Sequence, residues 1–270
     1  MRFFITCCLL LGVCIKARSQ ELFVYTEPAS NMAAKSIGIR LNNSLMKETG
    51  TDTYNYHLIP EVMLGVSKNI MVHAEAFLSN RNNSLVAEGG ALYLKYRFYS
   101  KDDVHSHFRM AAYAKGSFNN SDIHQAAIDL NGHNTGIETG LIATQLINKI
   151  ALSAGTAYLY ASDNSNGNKF IYGNENRKAI NYNFSVGKLM LPKEYTSYTQ
   201  TNLNLMMEVL GQTNLHTGKS FVDLAPSIQF IFLSRYRLDF GYRFAVVKDL
   251  FRTAPGGGFV RLEYNIFNAY

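Results

Sequence analysis

The chain has 270 residues, 47% of them hydrophobic, and a formal charge of +6 at pH 7. Arg2, Lys16 and Arg18 supply three of those charges ahead of Gln20, and the only cysteines, Cys7, Cys8 and Cys14, lie there too. The modest charge that remains gives no footprint for nucleic acid, and a cysteine-free remainder excludes a disulfide framework.

Met1-Arg2 precedes an apolar run over 3–15, and Ala17-Arg18-Ser19 offers a small-residue cleavage site before Gln20. Residues 1–19 read as a secretory signal peptide, because the apolar run is too short to cross a bilayer as a helix. No later segment approaches the roughly twenty apolar residues a membrane helix needs. That criterion says nothing about barrel strands, which hide half their residues from lipid. The segment QELFVYTEPASNMAAK (20–35) fits no strand. Leu22, Phe23, Val24 and Tyr25 are too apolar for a disordered leader, so the segment is expected to plug a lumen or strap the periplasmic rim.

From residue 36 the chain resolves into about twelve alternating runs: 36–47, 54–66, 70–80, 88–99, 107–117, 136–147, 150–161, 179–191, 200–210, 221–232, 236–247 and 258–270. Globular strands average about five or six residues, whereas tilted membrane-crossing strands need about nine to eleven. Links at 67–69, 148–149 and 234–235 are very short, while 118–135, 162–178, 211–220 and 248–257 are longer. Short turns on one rim and long loops on the other is the pattern of membrane barrels.

Parity separates the two faces of each run. Leu58, Val62, Leu64 and Val66 oppose His57 and Glu61; Val72, Ala74 and Leu78 oppose His73 and Glu75. Leu92, Leu94, Tyr96 and Phe98 oppose Lys95 and Arg97, and Phe108, Met110 and Ala112 oppose Arg109 and Lys115. Leu203, Leu205 and Met207 oppose Glu208. Tyr236, Leu238, Phe240 and Tyr242 oppose Arg237, Asp239 and Arg243. Lys188 breaks the rule: it either snorkels to the interface from a strand end or marks a bulge that shifts the phase. A soluble barrel or sandwich shows the same alternation with its apolar face inward, but strand length, rim asymmetry and aromatics near strand ends favour lipid outside. Pro60 and Pro226 sit mid-run and are expected to mark bulges or bends.

The inward set predicts a polar lumen lined by Arg40, His57, Glu61, His73, Glu75, Lys95, Arg97, Arg109, Lys115, Glu208, Asp223, Arg237, Asp239, Arg243, Arg261 and Glu263. Around the closure, Arg40, Asp223, Arg237, Asp239, Arg243, Arg261 and Glu263 mix signs and are expected to pair across strands, stiffening the wall. His57, Met63, Met71 and His73 could suit a soft metal, but Met fills irregular space and inward His hydrogen-bonds readily, so no metal or cofactor is assigned. No strand places Ser and His together on the apolar parity near a rim, and no catalytic residue is assigned.

Together these features resemble a Gram-negative outer-membrane β-barrel. VDLAPSIQFIF followed by SRYRLDFGYRF resembles the late hairpin of transporter-like barrels described as meta-pathway phenol degradation proteins, and HLIPEVMLGVSKNIMVHAEAF is similar in style. The ending VRLEYNIFNAY resembles a barrel-assembly signal, although Asn268 stands where an apolar residue is usual. The resemblance implies passive passage of small, even hydrophobic, molecules and supplies no site residues.

The expected fold is therefore all-β: a transmembrane antiparallel up-and-down β-barrel of about twelve strands, residues 36–270, in the cell outer membrane. Its expected partners are outer-membrane lipid, a small solute of unknown identity and the barrel-assembly machinery, which would read the strand ending at Tyr270; no nucleic acid is expected. The expected function is a porin-like channel or transporter for passive passage of small solutes. A non-conducting structural or adhesive barrel is the alternative, and an outer-membrane lipid-modifying enzyme comes third.

Overall fold

The computed structural model describes residues 23–80, 84–103, 106–197 and 199–270. The signal peptide expected over 1–19 lies outside them. Twelve strands run in chain order: β1 (Ser36–Lys47), β2 (Tyr54–Gly65), β3 (Ile70–Ser79), β4 (Val86–Asp102), β5 (Ser106–Asn119), β6 (Gly136–Ile147), β7 (Ile150–Ala161), β8 (Lys178–Leu191), β9 (Asn202–Asn214), β10 (Ser220–Phe232), β11 (Tyr236–Lys248) and β12 (Gly256–Ile266). Each pairs antiparallel with its chain neighbours, and β1 pairs with β12, so the sheet closes. The seam runs from Ile37 opposite Ile266 to Lys47 opposite Gly256. Closure leaves no sheet edge unpaired, the condition for a β-structure to stand in hydrocarbon.

The alternation turns the apolar side outward. Leu92 and Val246 are 65% and 60% exposed, whereas Lys95, Glu208, Asp223 and Asp239 on the opposite parity are completely buried. A soluble barrel would bury the first set and hydrate the second; here the order is reversed, and the wall is built for lipid. Tyr96, Phe98 and Tyr236 are exposed towards one rim, and Tyr54, Tyr158 and Tyr160 towards the other, the placement of interfacial aromatic girdles. Lys188 is exposed on the outward face near the end of β8.

Two rims follow from the connections. The turn rim carries 66–69, 148–149, 233–235 and both ends of the barrel, and the loop rim carries 120–135 and 162–177. Loop 120–135 folds into the bore: the Ile128 N–H donates to Gln212 Oε1 and Gln212 Nε2 donates back to the Ile128 carbonyl, both at 2.8 Å. Ile123, Ile128 and Leu130 then pack on Leu159 and Phe170.

Two expectations need correction. β12 stops at Ile266, so Tyr270 is not part of a strand running to the terminus. The tail turns back instead: Ala269 N–H donates to the Lys35 carbonyl at 2.7 Å, and the Tyr270 hydroxyl donates to the Gly65 carbonyl at 3.1 Å. The prolines also make no bulge. Ile59 and Pro60 lack register partners on β3, and Ala225 and Pro226 lack them on β11, yet pairing resumes in phase beyond each. A missing N–H opens one ladder locally while the ladder on the other flank holds the register, with Leu41 opposite Pro60 and Met207 opposite Pro226. The register shifts on β10–β11 and β3–β4 fall at Val222/Asp223 and Phe77/Leu78.

Candidate functional site: a strapped lumen and the chamber above it

Residues 23–33 lie inside the bore at its turn-rim end. Phe23, Val24 and Ala29 are buried, the first two against Leu146, Ala151 and Met206 and the third against Ala111 and Ile142. A strap without strand partners must satisfy its backbone by other means. Glu208 does much of this: Oε1 accepts the N–H groups of Val24 and Tyr25, and Oε2 accepts the N–H and the side-chain hydroxyl of Thr26, at 2.7–2.9 Å. Arg261 donates to the carbonyls of Val24 and Phe23 at 3.0 and 2.8 Å, and Lys95 to those of Pro28 and Ser30 at 2.7 and 2.9 Å. Ala29 N–H donates to Thr144 Oγ1, and Arg109 reaches Ser30 Oγ at 2.8 Å. Gly65 lets the strap enter, since a Cβ there would stand 2.0 Å from the Ala33 carbonyl oxygen.

Charge locks the same region. Arg40 is bridged to Glu27 at 2.9 Å, Glu61 at 3.1 Å and Glu263 at 2.9 Å, and Glu263 also takes Arg237 at 3.1 Å. Arg261 pairs with Asp239 at 2.5 Å. Burial works against an ionised Glu27, but Arg40 and Lys95 outweigh it and hold its carboxyl well below the ordinary range. These pairs are hydrogen-bonded as well as charged, the condition under which burying ions is tolerated.

Above the strap lies a cavity of about 430 Å³, bounded by Tyr25 and Glu27 below and by Ala127, Ile128 and Asp129 of the inward loop. Its β2–β6 side holds His57, Glu61, His73, Glu75, Tyr93, Tyr113, Lys115 and Glu138. Lys115 bridges Glu75 at 2.6 Å, and the Tyr113 hydroxyl donates to Glu138 at 2.6 Å. Gly140 permits that reach, because a Cβ there would lie 2.6 Å from the Tyr113 ring. The opposite side presents Arg243 and Arg252, both bonded to Asp223.

Of the predicted lumen residues, Arg40, Glu61, His73, Lys95, Arg109, Glu208, Arg237, Asp239, Arg261 and Glu263 gather around or just above the strap. His57, Glu75, Lys115, Asp223 and Arg243 belong to the chamber. Arg97 stands apart at the turn rim, donating to the Lys68 carbonyl at 2.6 Å. His57 packs on His133 of the inward loop, ring to ring at 4.8 Å. Glu61, His73 and Glu75 bring ligand atoms within 4.8 Å of one another. Their carboxylates already hold Arg40, His73 and Lys115, and the Met71 sulfur accepts the strap's Met32 N–H. Parity reasoning missed Glu27, Asp129, His133 and Arg252, which come from the strap and the loops. No alternation marks those segments, and only their charge within otherwise small-residue stretches could have drawn notice.

No protein-family model and no curated protein matches this chain. Among solved structures it is similar to the NanC porin, at 9% identity and a TM-score of 0.48, covering 84% of this chain and 97% of that one. It is similar to the Salmonella typhi OmpF complex with daunomycin at 11% identity and 0.36, covering 86% and 97%. It is also similar to LpxR from Salmonella typhimurium at 8% identity and 0.41, covering 86% and 99%. Likeness at this level bears on neither channel nor enzyme chemistry. What this chain is rests on its own closed pairing and outward apolar belt: a transmembrane β-barrel of the outer-membrane kind, with a strapped and chambered lumen.

Proposed function

We propose that this barrel is a porin-like outer-membrane transporter for small polar solutes, with both chain ends on the periplasmic side, held shut at rest by its own N-terminal strap. The observation that carries the reading is the polar chamber inside the bore, stopped on the turn-rim side by residues 23–33. A barrel serving only as a structural post has no need of such a chamber. The extensive bonding of the strap favours the second reading, a non-conducting barrel, and the two differ in whether the strap can be released. The narrower resemblance to phenol-pathway barrels admits small molecules, hydrophobic ones included; a chamber walled by His57, Glu75, Lys115 and Arg243 favours polar cargo.

Planar-bilayer recording separates the two. The full chain is expected to stay closed or conduct in rare, small steps. The full-length double variant Glu27→Gln/Glu208→Ser, which removes two anchors of the strap, is expected to give steady conductance steps. Silence from that variant, once heat-modifiable migration shows it folded, sinks the transporter reading and leaves the structural one.

A further inference from the structure

The charges around the chamber are not equally satisfied. Arg40 spreads its guanidinium over three carboxylates, and Arg261 divides its own between Asp239 and two strap carbonyls. On the acidic side Glu75 holds Lys115, Glu138 accepts from Tyr113, and Asp129 faces His133 at 3.7 Å. Burial opposes ionisation of Asp129, but His133 and the Asn131 N–H outweigh it and keep its carboxyl below the usual range.

Arg243 and Arg252 differ, because they share one carboxylate. Arg243 donates Nε to Asp223 Oδ2 at 2.5 Å, while Arg252 donates NH1 and NH2 to the two Asp223 oxygens at 2.5 and 2.6 Å. Asp223 is fully buried and carries a single negative charge against two guanidinium ions. Donors are left over: the buried Arg252 Nε has no acceptor, and Arg243, with its side chain 24% exposed, bonds Asp223 through Nε and not through its terminal nitrogens. The two guanidiniums stand over the Phe221 ring at 5.6 and 3.9 Å, which fixes their planes. Burial pushes the Arg252 guanidinium below its ordinary range, against the pull of Asp223 and, more weakly, of Asp129. On the strap side, the Tyr25 hydroxyl is buried without a partner and lines the same chamber.

We propose that the Arg243–Arg252 pair is a binding site for the carboxylate or phosphate group of a small solute held in the chamber. Planar guanidinium donors match the paired oxygens of such groups, and a low-dielectric lumen strengthens the match. The proposal rests on reading the chamber as a solute site, but it does not require conduction, so equilibrium binding and bilayer recording fail independently.

The test is isothermal titration calorimetry on the purified full-length barrel in neutral detergent at 150 mM NaCl, with succinate, inorganic phosphate, glucose and putrescine as probes. Succinate or phosphate is expected to bind saturably, and glucose and putrescine are not. Arg243→Gln is expected to weaken binding at least tenfold, and Arg243→Lys by less. The variant keeps a folded wall because Arg252 still neutralises Asp223, which heat-modifiable migration checks. Absence of saturable heat from both anions, equal binding of putrescine, or unchanged affinity in Arg243→Gln overturns the proposal.

Discussion

At the turn-rim end of the bore, Arg40 meets three carboxylates and the strap's amides meet Glu208. At the chamber end, two arginines meet one aspartate and keep donors to spare. Both regions are built from the same residue types, on inward-facing strand positions joined by the strap at one end and by a loop arginine, Arg252, at the other. Neither end is fully bonded, since the buried Arg237 Nε and Asp239 Oδ1 beside the strap also lack partners. A lumen whose cations are matched by carboxylates nonetheless behaves as a core and resists opening. One whose donors exceed its acceptors is poised for something not supplied by the chain. The contrast separates structure from function inside a single bore.

Breaking the shared counter-ion is expected to have the largest effect. Asp223→Ala leaves the buried Arg252 and half-buried Arg243 guanidiniums without their shared counter-ion and should lower unfolding stability by about 3–5 kcal/mol, read from denaturant midpoints in detergent. Glu208→Ala comes next: it strands the N–H groups of Val24, Tyr25 and Thr26 and should cost about 3 kcal/mol. If Glu208→Ala proves harmless while Asp223→Ala is severe, Glu208 does not anchor the strap. The full-length chain should then give proteolysis of 23–33 as readily as the variant does.

Acid sharpens the comparison because it acts on only one region first. Glu27 has its folded pKa depressed from an ordinary 4.5, so its contribution to the strap is complete above that value and is lost as pH falls below it. Bilayer conductance and protease access to the strap should both rise as pH drops below about 4.5, and Glu27→Gln should flatten that dependence. Conductance that instead falls with acid would show that Glu27 does not hold the strap in place. A smaller effect, about 1–3 kcal/mol, is expected for Gly65→Val, which drives a side chain into the Ala33 carbonyl at the strap's entry.

Much of the barrel is legible in the sequence. Lys95 between Leu94 and Tyr96, or Asp239 between Leu238 and Phe240, can satisfy both lipid and lumen only if successive side chains point oppositely. The candidate site was half legible. Arg243 and Asp223 fell on the inward parity, but Arg252 lies at 249–255, where no period applies. The same limit hid Glu27, whose place depends on a strap that no alternation predicts. The end of β12 was misplaced for a related reason: Tyr264 and Ile266 alternate with Asn265, yet the tail beyond gains more by bonding Lys35 and Gly65 than by extending the seam.

The sequence by itself determined a transmembrane wall: alternation is a local property, dictated by the pleat, and twelve such runs in lipid must close to pair their backbones. Only the tertiary structure decided what fills that wall. Whether a lumen charge is satisfied depends on partners hundreds of residues away, as when Arg261 finds the carbonyls of Phe23 and Val24. Periodicity can turn a side chain inward, but distance across the bore decides what it meets there.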